Sequence, residues 1–228
     1  MSAQRPLKQA DTYYPESDGK PMAETDPHRN LITDTIFALT NHYRQDSGVY
    51  VSGNIFLYYV KNEPRRNVSP DVLVARGIGN QPRRIYRTWV EGKAPDMVIE
   101  ISSGSTWSED LQKKWRLYAE LDIPEYFVFD PEYSHLPRPL MGYRLDEHWY
   151  TPLEPAADGS LYSQQLDLDL VDTGTTLRLR DPHTQELLLT QAETDAAWRT
   201  EAEARRRAES EVELLRAELA QLRGLSES

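Results

Sequence analysis

Three side chains in the central part of this 228-residue sequence have the types and spacing for phosphodiester chemistry: Asp71, Glu100 and Lys114. Glu100 lies in the run 97–101, which is otherwise apolar and rich in β-branched residues, so it reads as a single carboxylate on a buried strand. A charge there needs a partner. Asp71 belongs to a second apolar run, 70–74. If that strand is antiparallel to the later one, its beginning falls beside the later strand's end, with the two Cβ atoms roughly 5 Å apart. Asp96 shares a face with Glu100 but stands about 13 Å away along the strand, too far to bind the same ion, and reads as a hydrogen-bonding residue at the strand's entry. Asp71 and Glu100 would hold a hard cation, Mg2+ (or Mn2+), through oxygen, with the backbone carbonyl of Ile101 completing the set. The cation would polarise a phosphate and acidify a bound water. Lys114 would face the attacking water or the developing oxyanion. The same residues would also serve as a buried Glu100–Lys114 ion pair tying helix to strand, and the spacing alone leaves both roles open.

Positioning these groups requires a strand, a crossover helix and a second strand within residues 96–130. Ser108 reads as the N-cap of a helix running to about Leu121, with Glu109 and Asp110 in the first turn, where the macrodipole favours negative charge, and Pro124 beyond its end. At about 100° per residue, Trp115, Tyr118 and Ala119 share the face of Leu111, Lys114 borders it and Lys113 points away. Lys114 can therefore reach back to the strand. Residues 126–129 read as a parallel neighbour of the first strand. Ahead of this unit, Leu31, Ile32, Ile36, Leu39 and Tyr43 recur at helical spacing over 30–44, and 49–51 with 55–60 reads as a hairpin turning at Ser52, Gly53 and Asn54. Behind it, a Pro-broken loop over 131–139 leads to short antiparallel segments around 140–145, 149–153, 165–170 and 176–179. The alternation Leu166, Leu168, Leu170 turns Asp167 and Asp169 to solvent with no metal role. Ser102, Ser103 and Ser105 have no base arranged nearby and read as the turn and cap between strand and helix. The expected fold class is α/β (α+β): a mixed sheet flanked by helices, with extra antiparallel strands and a C-terminal helix.

Three segments are expected: a flexible N-terminal segment (1–29), one domain (30–185) and a charged, Ala-rich helix (190–223). In that helix Val212, Leu215, Leu219 and Leu222 have the a/d spacing of a short coiled coil, hence an expected homodimer. The absence of cysteine excludes disulfides, thiol catalysis and thiolate zinc sites. No stretch approaches the roughly 20 apolar residues that cross a bilayer, and the polar N-terminus lacks a signal-peptide core, so no membrane association and a cytoplasmic location are expected. The five histidines show no paired metal spacing, and Gly77 and Gly79 belong to no phosphate-binding motif. A net charge of -11 argues against nucleic acid as a partner, yet residues 61–93 carry 8 basic side chains against 3 acidic ones. Arg65, Arg66, Arg83, Arg84 and Arg87 are the residues expected to face phosphate there, a solvated loop being the alternative.

The run PDMVIEISSGST, the spacing from Glu100 through Asp110 to Lys114 and Tyr118, and the ending IPEYFVFDP resemble the Uma-two family, placed in the PD-(D/E)XK nuclease superfamily, over roughly residues 30–180. The resemblance implies a restriction-endonuclease-like fold, with Asp71 in the first acidic position and Glu100 in the second. The usual lysine two residues after the glutamate is Ser102 here, and Lys114 matches the family's lysine on the following helix. Where the superfamily often adds an acid from an early helix, residues 30–44 offer only Asp34. The resulting expectation is a Mg2+-dependent endonuclease acting on DNA. The alternative is a catalytically weak or inactive member that serves as a binding or assembly module, and hydrolysis of RNA or another phosphodiester would use the same site.

Overall fold

Apolar spacing sets the first helix, α1 (Asp26–His42), whose Leu31, Ile32, Ala38 and Leu39 are buried along one stripe in this computed structural model, which describes residues 12–17, 25–104 and 107–226. Pro27 occupies its first turn, where a missing N–H is not needed for the helix, so the helix starts ahead of its apolar pattern and takes in His28. The chain continues through β1 (Val49–Ser52), β2 (Leu57–Tyr58), β3 (Asn67–Val68), β4 (Val72–Arg76), β5 (Tyr86–Arg87), the short α2 (Thr88–Glu91) and β6 (Met97–Ile101). A helix in three pieces follows: α3 (Trp107–Glu109), a π-helical turn (Asp110–Lys114) and α4 (Trp115–Glu120). It crosses to β7 (Glu125–Phe129), after which come β8 (Leu140–Asp146), β9 (Trp149–Pro152), β10 (Leu161–Ser163), β11 (Leu168–Asp172), β12 (Leu177–Arg180) and α5 (Gln191–Ser226).

The main sheet has the order β1-β4-β6-β7-β8-β9, parallel at β6–β7 and antiparallel at its other pairings. Three-stranded sheets β10-β11-β12 and β3-β2-β5 accompany it. This is the mixed α/β fold with extra antiparallel strands and a C-terminal helix. Strand alternation divides the core in two. Val72, Val74, Met97, Ile99 and Ile101 pack with α1 and the leucines of β10 to β12, whereas Leu73, Ala75 and Val98 pack with Tyr118, Tyr126 and the β2 and β5 side chains. By the same alternation Asp71 and Glu100 fall on the second face, beneath the broken helix.

The hairpin expected over 49–60 does not form: β1 pairs with β4, and β2 with β3 and β5. At Gly53 the chain passes so close to β4 that a Cβ would lie 1.9 Å from the Asp71 carbonyl oxygen, and the Asn54 N–H donates to Pro70 O at 2.8 Å. The connection thus crosses the end of β4 instead of folding back. Asp169 is also not turned to solvent. It is buried, and Nε and Nη2 of Arg180 donate to its Oδ2 at 3.1 and 2.8 Å across the β11–β12 ladder, which compensates its charge; Asp167 does remain exposed. Within the expected flexible segment, residues 1–11 and 18–24 lie outside the described residues, as does Ser105, whereas 12–17 pack on the small sheet. Helix α5 forms a unit of its own, with Trp198, Val212, Leu215 and Leu219 exposed. Among the described residues no helix is long and apolar enough to cross a membrane.

The group facing the missing Gly53 side chain is backbone, which cannot swing aside. Gly53→Ala should therefore cost about 1–3 kcal/mol and lower the calorimetric melting temperature; an unchanged melting point would contradict the close crossing.

Candidate active site

The ladder between β4 and β6 pairs Val72 with Ile99, so Asp71 and Glu100 become neighbours where it ends. Glu100 is fully buried. Its Oε2 accepts a hydrogen bond from Lys114 Nζ at 2.8 Å and its Oε1 one from the Tyr118 hydroxyl. Asp71 Oδ2 accepts the Ile101 N–H at 2.8 Å. From α1, His28 Nε2 lies 2.7 Å from Ile101 O and 3.8 Å from Asp71 Oδ2. The structure thus brings together Asp71, Glu100, Ile101 and Lys114, and it adds His28, Tyr118 and Asp110. Asp34 lies further along α1, half-buried.

Asp110 is the largest departure from helical arithmetic. The helix already begins at Trp107, so Ser108 does not cap it, and the wider π-helical turn rotates Asp110 inward. There its Oδ1 stands 3.0 Å from Lys114 Nζ, while the Tyr126 hydroxyl donates to the Asp110 carbonyl at 3.0 Å. An ion pair with a buried ammonium outweighs the weaker preference of a carboxylate for the helix N-terminus. Apart from that ion pair, neither Asp110 side-chain oxygen has a hydrogen-bond partner among the described residues, nor has the buried Ser102 Oγ.

Two carboxyl groups, Glu100 and Asp110, therefore contact one ammonium in a largely water-free place, and a third, Asp71, lies next to Glu100. Burial pushes Asp71 up to about 6, against the pull of Lys114 and the Ile101 N–H. Burial likewise pushes Glu100 up to about 8, with Lys114 opposing and the charges of Asp71 and Asp110 adding to the rise. For Lys114 burial works against the charge, but Glu100, Asp110 and Asp71 together hold it above its ordinary value. As one coupled group, the cluster keeps its ammonium and retains a proton on the Asp71–Glu100 pair near neutrality. Burial, then Glu100, raises Tyr118, which stays a hydroxyl donor.

A divalent cation fits this set. The oxygens of Asp71, Glu100 and Ile101 are hard donors, and a cation would replace the retained proton and offset the surplus negative charge. Among the described residues no three His, Cys, Asp or Glu side chains converge as a metal cage, so the donors on offer are two carboxylates and a carbonyl.

The basic residues divide. Arg83 is spent within the fold: it donates to both Glu91 oxygens at 2.9 Å and to the carbonyls of Ile78, Gly79 and Gln81, and it lies 4.3 Å over the Tyr50 ring. It cannot face phosphate. Arg65, Arg66 and Arg84 are exposed; Arg66 stacks on Tyr59 and Arg87 on Tyr14.

Of the residues missed from sequence, Asp110 and Tyr118 carried a signal, standing four before and four after Lys114. His28 carried none, because it meets Ile101 only through the tertiary fold. Over residues 4–178 the chain matches the model of the Uma2 (Uma-two) family, described as "Putative restriction endonuclease". No curated protein matches the chain. Among solved structures it is similar to a "putative nuclease belonging to DUF820" from Anabaena variabilis, with 16% identity, 66% of this chain and 81% of that chain covered, and a TM-score of 0.47.

The raised carboxyl pKa values set a sign for stability. Between their ordinary values and the folded ones, the folded protein binds more protons than the unfolded chain, so the stability these groups contribute is complete at low pH and is lost as pH rises through about 6 and about 8. His42, lowered by burial, acts in the opposite sense but below about 6.5. In chelator, melting temperature should therefore fall from about pH 6.5 to about pH 9, and Glu100→Gln should flatten that fall. Parallel profiles for the two proteins would contradict the retained proton.

Proposed function

Because the chain belongs to the Uma2 family, and because its buried carboxylates outnumber the ammonium beside them, we propose that it is a divalent-metal-dependent endonuclease that hydrolyses phosphodiester bonds in DNA. The convergence of Asp71, Glu100 and Lys114 carries this reading. Asp71, Glu100 and the Ile101 carbonyl would hold Mg2+ or Mn2+, which when bound supplies polarisation of the scissile phosphate and a more acidic water. Tyr118 fixes the direction of Glu100 by donating to one oxygen, and His28 braces the Ile101 carbonyl. Lys114 remains charged because its carboxylates hold it so, and it can orient the attacking water and offset charge that develops on the phosphate. Asp110 gives the same ammonium a second anchor. Arg65, Arg66, Arg84 and Arg87 supply the cationic surface, on an otherwise acidic chain, so binding should weaken steeply with salt.

A second reading, a catalytically weak nuclease-fold protein acting as a binding or assembly module, draws on α5. Its a and d residues Val212, Leu215 and Leu219 are exposed, as a short coiled coil between two copies requires.

Cleavage of supercoiled plasmid by wild type, Glu100→Ala and Lys114→Ala, in Mg2+, Mn2+ and chelator, separates the two. Chelator-sensitive nicking that falls about 100-fold or more in both variants, each still folded by thermal melting, is the expected outcome. An inactive wild type, with both variants melting far below it, would reduce the cluster to a structural ion pair.

A further inference from the structure

Residues 12–17 lie on the β3-β2-β5 sheet with contacts that resemble those of a bound ligand. The Tyr14 ring stands 5.0 Å from Tyr58, edge-on, and 5.3 Å from Trp89, with the Arg87 guanidinium 6.0 Å from its centroid. Its hydroxyl accepts the Asn62 N–H at 2.6 Å, and the Tyr58 hydroxyl donates to the Pro15 carbonyl. Two residues beyond Tyr14, the Glu16 carboxylate lies 2.7 Å from Arg84 Nη2. The ion pair is open to solvent on both sides, with 82% of the arginine and 43% of the glutamate side chain exposed, so it is easily exchanged for another anion. Trp89 also lines a cavity of about 350 Å³ with Tyr59, Lys61, Lys93 and Leu121. Leu121 follows α4, about 10 Å along the helix axis from Lys114.

An aromatic ring lodged edge-on against Tyr58, tilted by 48° against Trp89 and beside a guanidinium, with an anion on a second guanidinium, engages the two kinds of group, aromatic and guanidinium, by which proteins hold an unpaired base and its phosphate. Bases inside a duplex are stacked on one another and cannot enter such a slot. The arginines belong to the segment 61–93, which has a net positive charge, and the strap of residues 12–17 that touches Arg84 and Arg87 brings an acid. We propose that residues 12–17 occupy the seat of a single-stranded DNA segment, Tyr14 standing where a base would and Glu16 where a phosphate would, and that substrates with an unpaired stretch displace the strap. The inference rests on the nuclease reading and names its substrate class.

The test is fluorescence anisotropy of a labelled oligothymidylate, and of its duplex with oligoadenylate, titrated with the full chain in chelator so that no strand is cut. Glu16→Gln keeps the size of an exposed side chain and should tighten single-strand binding about threefold or more; adding Tyr14→Ala should bring the gain to about tenfold. Arg84→Gln should weaken it. Glu147→Gln, which removes another exposed acid, from the β8–β9 turn, should change it little. The proposal is overturned if the strap variants bind single strands no tighter, if they tighten duplex binding equally, or if Glu147→Gln matches them. Plasmid cleavage reports on the nuclease reading separately. An inactive enzyme whose strap variants still bind single strands more tightly would refute the chemistry alone, and an active enzyme with unchanged binding would refute the strap alone.

Discussion

Glu100 and Asp110 bring two buried carboxyl groups to one ammonium, Lys114, and Asp71 adds a third carboxyl beside Glu100, where little water reaches them. An unbalanced charge in such a place is far more costly than on the surface, so the cluster has few stable states. It can retain a proton, accept a cation or unfold. The raised Asp71 and Glu100 pKa values describe the first of these, and the proposed chemistry uses the second. A simple Glu100–Lys114 ion pair would need neither, since one carboxylate would balance one ammonium.

The fold serves that constraint at several levels. Alternation along β4 and β6 turns Asp71 and Glu100 to one face, and their antiparallel register sets them side by side. The close crossing at Gly53 presses the chain against the Asp71 backbone. The π-helical turn delivers Lys114 and Asp110 to the same point, and Tyr126 accepts part of the cost by bonding the carbonyl that the turn leaves open. Tyr118 occupies one Glu100 oxygen with a neutral donor, leaving the other to Lys114. A helix of uninterrupted α geometry would leave Asp110 in its exposed first turn.

Much of this arrangement was readable from residue order. The strand, crossover helix and strand of 96–130, the antiparallel partner beginning near Asp71 and the inward reach of Lys114 all follow from alternation, helical angle and turn residues, which act locally. Long-range choices were not readable. His28 reaches Ile101 across 73 residues, and Asp169 is buried because Arg180 lies opposite it on the next strand. Arg83 belonged to a basic cluster by composition, yet Glu91 and three carbonyls draw it into the fold. The hairpin expected at Gly53 failed because strand pairing depends on which neighbour is available, and β4 lies nearer to β1 than β2 does. In each instance a tertiary partner overrode a correct local tendency.

The most direct measurement is the number of protons released when Mn2+ or Mg2+ binds, obtained by titration calorimetry near neutral pH in buffers of different ionisation enthalpy. If a cation replaces the proton retained by Asp71 and Glu100, binding should release about one proton per ion, and Glu100→Gln should abolish that release. Metal binding without proton release, or release that persists in Glu100→Gln, would contradict charge compensation as the organising constraint of the site.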